Sequence, residues 1–282
     1  MTDSSGLTFR LDATRGETRF LNVELEIEPP FTKSKLELKF PRWVPGSYFI
    51  REPMQYLTDI NCMQGETSLK FVRKDVDAVS IKHVNNKQNI VVNYKILGIE
   101  LSVRSTHIDN SHLHMMPPFT FLLPTSGIDD ARMNLPHNIS LHAPSGWTPA
   151  TQLTLVSSQE NCLSINSLKG DTYHLQAGNR DELLDGIIET NARDNISFSV
   201  DGRTHILKLW DSGGYQPDEE MVTKFVDDMI KVVKEYHALF GKPDWGDYVV
   251  ILQLTESSRG CLLYTSDAAD DTPCVDLGGR RI

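Results

Sequence analysis

Cysteine is scarce in this chain, with four in 282 residues, at 62, 162, 261 and 274. No two stand in a C-x-x-C pair, which excludes a paired-cysteine metal or dithiol redox site and the disulfide framework of a small secreted scaffold. Cys62 and Cys162 read instead as reduced structural thiols of a cytosolic protein. Long apolar runs are also missing, and none approaches the roughly 20 residues that a membrane-spanning helix needs. The opening "MTDSSGLTFRLD" has neither a basic segment nor an apolar one, so no signal peptide is expected. Glycine-rich nucleotide loops and a G-x-S-x-G elbow are absent, which removes P-loop, dinucleotide-binding and serine-hydrolase chemistry. Positive charge is outnumbered, with 28 Lys and Arg against 38 Asp and Glu and a net charge of −10. An acidic body argues against nucleic acid or an anionic membrane as partner.

What is present reads as strands as far as about residue 175. "FLNVELEIEPP" alternates Val23, Leu25 and Ile27 with Asn22, Glu24 and Glu26, the period of a strand with one wet face. "KLELKF" repeats the pattern with Leu36, Leu38 and Phe40. "NIVVNYKI" and "LSVRSTHI" are expected to pair around "LGIE". "FTFLLP", "ISLHAP", "LTLVSS" and "DTYHLQ" follow as further strands. Strands without long helices between them predict a β-sandwich or saddle-like sheet domain.

The texture changes near residue 190. "ISFSVDGRTHILKLW" predicts a hairpin turning at Asp201-Gly202. A helix should follow, with Pro217 in its first turn and Asp218, Glu219 and Glu220 near its positive end. Its apolar face is Val222, Phe225, Val226, Met229, Val233, Tyr236 and Phe240, and Gly241 suits the C-cap. "DYVVILQL" is nearly all apolar and is expected in the interior of a sheet. A hairpin, one helix and one strand cannot cover both faces of such a strand, so this second unit reads as unfinished. In "THIDNSHLHMM", His112 and His114 would share a strand face and neutral imidazoles there can bind a metal. No glutamate follows at a fitting spacing, so His107, Asp109, His112 and His114 are expected to form a polar loop.

The most distinctive segment is "FPRWVPGSYFIRE", where Pro45-Gly46 suits a type II turn flanked by Trp43 and Tyr48. The string resembles the signature of the glycyl aminopeptidase family of zinc metallopeptidases, which often carry a C-terminal PDZ domain. "LSVRSTHID", "APSGW", "DELLD" and "LFGKPDWGDYVVILQLTESSRG" resemble further family segments in the same order. The likeness covers roughly residues 5 to 260. One departure is Gly186-Ile187, where the family favours a small residue and Pro.

The resemblance implies a mainly β chain in three parts. Residues 1–188 would form the N-terminal β domain. Residues 189–260 would form the incomplete start of a thermolysin-like α/β catalytic domain. Residues 261–282 resemble translated adapter sequence and are expected to be a non-native tail. In the complete enzyme, H-E-x-x-H on a helix would supply two zinc ligands and the glutamate that activates water. None of the nine histidines here is followed by Glu. No catalytic or metal-ligating residue is therefore assigned, and the chain alone is expected to be inactive and without zinc. Where the family continues S-x-G-G-L-E-H along the substrate, Arg259 and Gly260 fit and Cys261-Leu262-Leu263-Tyr264 depart. Tyr48, Arg51, Arg259 and Gly260 are the candidate substrate contacts. The expected partner is a peptide, with N-terminal glycine favoured, in the cytoplasm. The alternative is a stand-alone β-rich module that binds a peptide or protein.

Overall fold

The computed structural model describes residues 6–43, 49–83, 85–213, 217–242 and 247–255. The first strands are β1 (Thr8–Asp12), β2 (Phe20–Ile27), β3 (Lys35–Lys39), β4 (Leu57–Gln64), β5 (Thr67–Leu69), β6 (Phe71–Asp75), β7 (Ala78–Lys82) and β8 (Ile90–Leu97). Next come β9 (His107–Ile108), β10 (His112–Met115), β11 (Leu123–Ser126), β12 (His137–Ala143), β13 (Thr148–Ala150), β14 (Thr154–Leu163) and β15 (Lys169–Ala177). A short helix α1 (Arg180–Asp185) leads to β16 (Ile188–Asn191), β17 (Ile196–Val200), β18 (Arg203–Asp211), α2 (Glu219–Phe240) and β19 (Tyr248–Leu254).

The alternating strands build the largest sheet, in the order β14-β15-β12-β1-β2-β8-β4-β5. β2 buries Leu21, Val23, Leu25 and Ile27 and leaves the residues between them half-exposed, as its period demands. β8 does the same with Ile90, Val92, Tyr94 and Ile96, and pairs antiparallel with β2 in register. A second sheet, β11-β3-β7-β6, adds Leu36, Leu38, Val79 and Ile81 to the same apolar cluster. Phe9 and Phe121 meet inside it with ring centroids 4.2 Å apart. Burying each such side chain contributes about 1.5–3 kcal/mol before chain entropy is subtracted. Among the described residues the architecture is mainly β, in several sheets without a closed barrel.

A third sheet, β13-β16-β10-β9, lies beside a fourth, β17-β18-β19. The expected hairpin forms between β17 and β18, with Asp201 and Gly202 both at positive φ, as a two-residue turn of this hand requires. α2 then returns the chain so that β19 lies parallel to β18. Asp218 is the N-cap, accepting from the Met221 N–H, so Pro217 precedes the helix rather than sitting in its first turn. Gly241 closes the helix at φ 85°.

Four further expectations need correction. "LSVRSTHI" does not pair with β8. Residues 101–106 are irregular, held by Arg104 N–H to Ser102 Oγ and Ser105 Oγ to the Glu100 carbonyl, and only His107–Ile108 is strand. "FTFLLP" opens on the last residue of a 3-10 turn over Pro117–Phe119, which Pro117 and Pro118 favour, and becomes a strand only from Leu123. β19 is an edge strand among the described residues, half-buried along its length, because nothing described pairs with its outer side. The apolar stripe of α2 buries no residue fully, and Tyr236 and Phe240 are exposed.

Candidate functional site

The densest buried polar group lies where the third and fourth sheets meet. His112 and His114 point the same way from β10, two residues apart. On the neighbouring β16, Glu189 stands opposite His114, and Asn191 opposite His112. Glu189 therefore reaches one histidine directly and the other diagonally. His112 Nδ1 lies 2.8 Å from Glu189 Oε1, and His114 Nδ1 lies 3.0 Å from Oε2. His112 and Glu189 are fully buried and His107 and His114 nearly so.

A chain of contacts runs outward. His107 Nδ1 is 2.7 Å from His112 Nε2, and Arg19 Nη1 is 3.1 Å from His107 Nε2. Arg19 and Glu189 decide the direction of every proton between them. Arg can only donate and an ionised carboxylate can only accept. Arg19 thus donates to His107 Nε2, His107 Nδ1–H to His112 Nε2, and His112 Nδ1–H to Glu189. Each imidazole between them carries its proton on Nδ1. Arg19 adopts the left-handed backbone region at φ 63°, uncommon for this residue type, as it aims into the cluster. Gly16 packs on the same turn. A Cβ there would lie 1.9 Å from the Asp109 carbonyl oxygen.

Charge follows geometry. Burial alone would raise the Glu189 carboxyl, but hydrogen bonds from the two histidines outweigh it and hold it down at about 2. Burial pushes His107 down to about 4, with the neighbouring His112 and Arg19 adding to the effect and Asp109 opposing it.

The fourth sheet closes the cluster. The Trp210 ring stacks on His112 at 3.5 Å between centroids and 8° between planes, and its Nε1–H donates to Ser111 Oγ. Gln253 of β19 donates to Glu189 Oε2 at 3.0 Å. Lys208, fully buried, donates to the carbonyls of Asn191 and Arg193 and is pushed down by burial to about 8. Arg193 pairs with Asp211 at 2.6 Å. Four buried atoms here are unpartnered: His114 Nε2, Thr190 Oγ1, Asn195 Oδ1 and one Asp211 oxygen.

Among the described residues, His107, Asp109 and His112 bring one ligand atom each within 4.8 Å of one another. Their donors do not fit a zinc centre. The two ring nitrogens are already hydrogen-bonded to each other, and Asp109 Oδ1 accepts from Ser111 N–H, Ser111 Oγ and His112 N–H. The Arg19 guanidinium lies 3.5 Å from the other Asp109 oxygen, where a cation would be repelled.

The expected polar loop is therefore two short buried strands, and its histidines serve a carboxylate 75 and 77 residues away. Two signals could have found them: the H-x-H spacing, and Glu189 directly after Ile187 and Ile188 in "GIIETN". Of the expected substrate contacts, Arg51 is described. Its N–H donates to the Arg42 carbonyl and its guanidinium lies 5.6 Å from the Phe49 ring centroid. Neither contact involves the buried cluster. Tyr48, Arg259 and Gly260 lie outside the described residues, as do the Pro45-Gly46 turn and the tail from 261.

The Peptidase M61 N-terminal domain profile matches residues 8–189, more than half of the chain. The chain belongs to the peptidase M61 N-terminal domain family. Glu189, the hub of the cluster, is the last residue matched, so its contact with Gln253 joins the M61 domain to the β17–β19 unit. In fold, the chain is similar to the crystal structure of an aminopeptidase N family protein from Idiomarina loihiensis. That match has a TM-score of 0.72 at 24% identity, covering 86% of this chain and 38% of the other. A mutant M1 zinc metallopeptidase from Deinococcus radiodurans, solved with a Tyr-Ser-Ala substrate, aligns with a TM-score of 0.48 at 12% identity, over 88% of this chain and 56% of the other. The chain thus spans less than two thirds of either structure. No curated protein matches it by sequence. Among the described residues, no helix is long and apolar enough to cross a membrane.

Proposed function

We propose that this chain is the N-terminal portion of a zinc-dependent aminopeptidase, with N-terminal glycine the favoured substrate residue. The M61 domain would be followed from about residue 189 by the start of the catalytic unit, and residues from 261 onward would not belong to the native protein. The observation that carries the reading is the M61 match over residues 8–189, joined through Glu189 and Gln253 to a parallel βαβ unit. The apolar positions that α2 and β19 leave uncovered favour it over a stand-alone binding module.

In this reading the zinc ligands and the water-activating glutamate belong to a later segment, since no H-E-x-x-H occurs in the chain. The metal, when bound there, would polarise the scissile carbonyl. What these residues contribute is a rigid β platform and the placement of β19. The test combines metal analysis with an assay of glycine release from a glycyl anilide. This chain is expected to release none. A chain continued through the genomic coding sequence downstream of Gly260 is expected to bind one zinc and release glycine. Chelator-sensitive hydrolysis by the present chain would overturn the assignment, as would a downstream frame without H-E-x-x-H.

A further inference from the structure

We propose that Glu189 is a positioning residue that fixes β19 against the M61 domain through a one-way hydrogen-bond relay, Arg19 to His107 to His112 to Glu189, with His114 and Gln253 as further donors. This rests on the peptidase reading only in assigning β19 to the catalytic unit.

The main apolar core cluster stops short of the second unit. Among the described residues, no buried apolar side chain of β17 or β18 belongs to the main core cluster. Across the boundary run Gln253 to Glu189, the Trp210 indole N–H to Ser111 and the Trp210 ring stacked on His112, while Lys208, Arg193 and Asn191 tie β18 to the segment just after Glu189. Glu189 is central because one carboxylate takes three side-chain donors from two sheets. Directional bonds fix a register where apolar contacts would tolerate sliding, and a buried charge with the wrong partners is costly. Gln253 is opposite Trp210 in the β18–β19 register, so two adjacent strands are tied to the same cluster side by side.

The relay specifies proton positions, and these can be measured. Ring ¹⁵N spectra separate protonated from bare imidazole nitrogens. At neutral pH His107, His112 and His114 should each carry a proton on Nδ1. In Glu189→Gln, one carboxylate oxygen becomes an NH2 that donates instead of accepting. His112 is held by His107, so His114 should change tautomer and take its proton on the unpartnered Nε2.

Docking is read by amide exchange in the chain as it stands. Gln253→Glu, at a half-buried position, sets a second carboxylate against Glu189. It should speed exchange in β18 and β19 about tenfold or more, while β1, β2 and β12 keep their protection. The double variant Glu189→Gln/Gln253→Glu restores an amide–carboxylate pair and should recover part of that loss. Unchanged protection in Gln253→Glu would overturn the proposal, and so would an Nε2-protonated His112 at neutral pH. Both measurements need no substrate, so they decide the clasp even if a continued chain proves inactive and the peptidase reading falls. If the continued chain is active, Gln253→Glu should lower kcat about tenfold with KM nearly unchanged, since a misplaced strand affects the reacting geometry. An unchanged kcat would overturn the positioning role and leave β19 merely docked.

Discussion

β8 and β19 are both strands with runs of valine and isoleucine, yet one puts alternate residues in a core and the other buries none of its residues fully. β8 puts every second residue at 2% exposure or less, because β2 and β4 flank it and the other sheets cover its inner face. β19 pairs on one side only and is half-buried at all seven positions. The difference lies in what surrounds each strand rather than in composition. The M61 domain makes its own apolar environment, and the unit after it meets that domain through the Gln253–Glu189 bond and the Trp210 ring on His112.

The largest test of that contrast is a cavity on the M61 side. Leu25 on β2 is fully buried. Leu25→Ala should cost about 2–5 kcal/mol, from lost transfer energy and an incompletely collapsed cavity. Leu252→Ala on β19 should cost clearly less, since its side chain is only half out of water to begin with. Equal shifts of the denaturation midpoint would mean that the two units share one core after all.

Acid probes the polar joint. His107 has its folded pKa lowered from 6.5 to about 4, so between these values the unfolded chain binds more protons. Stability from this group is complete above pH 6.5, falls as pH drops towards 4, and falls no further below that. The shift corresponds to about 3 kcal/mol. The groups facing His107 are Arg19, Asp109, His112 and His114. Glu189, held at about 2, adds a further loss only below pH 4.5. Amide protection of β18 and β19 should fall first in this window, and a His107→Asn variant should flatten the profile. Loss beginning in β1 and β2 would place the sensitive group elsewhere.

How much of this could be read from the chain differs in the same way. The alternation of β2 and β3, the Asp201-Gly202 turn and the Gly241 cap are local patterns, and they were legible. The β9–β10 cluster was not. Its meaning depends on Glu189, far away in sequence, and an H-x-H read alone cannot be told from a polar loop. Residues 101–106 misled because Leu101, Val103 and Ile108 suggest a strand, while Ser102 and Ser105 bond back to the local backbone instead. β19 misled because its composition belongs to a buried strand, and burial is a property of neighbours.

A smaller effect is expected at the start of α2. Asp218 accepts from the Met221 N–H at 2.7 Å, satisfying a backbone donor that the helix itself cannot. Asp218→Ala should cost the helix about 1 kcal/mol. Because α2 buries no residue fully, that loss should appear as about fivefold faster amide exchange within α2 and leave the midpoint of the M61 domain in place. A shift of the global midpoint would show α2 to be part of the main cooperative unit.

The smallest effect is expected at the far end of the same helix. Leu239 is 75% exposed and Phe240 79%. In this chain Leu239→Ser removes almost no buried area, so the denaturation midpoint should move by less than about 0.5 kcal/mol. Solubility should rise, since one of two adjacent exposed apolar side chains is removed. In a chain continued past Gly260, the peptidase reading has further catalytic structure covering this face. There the same substitution should cost more than about 1 kcal/mol, in the range of a buried apolar truncation. The pair of measurements sharpens the comparison between the two strands. If the cost grows with the longer chain, β19 and α2 lack only their neighbours. If it stays near zero in both, the face is a true surface, and an interaction partner rather than a missing fold must account for its leucine and phenylalanine.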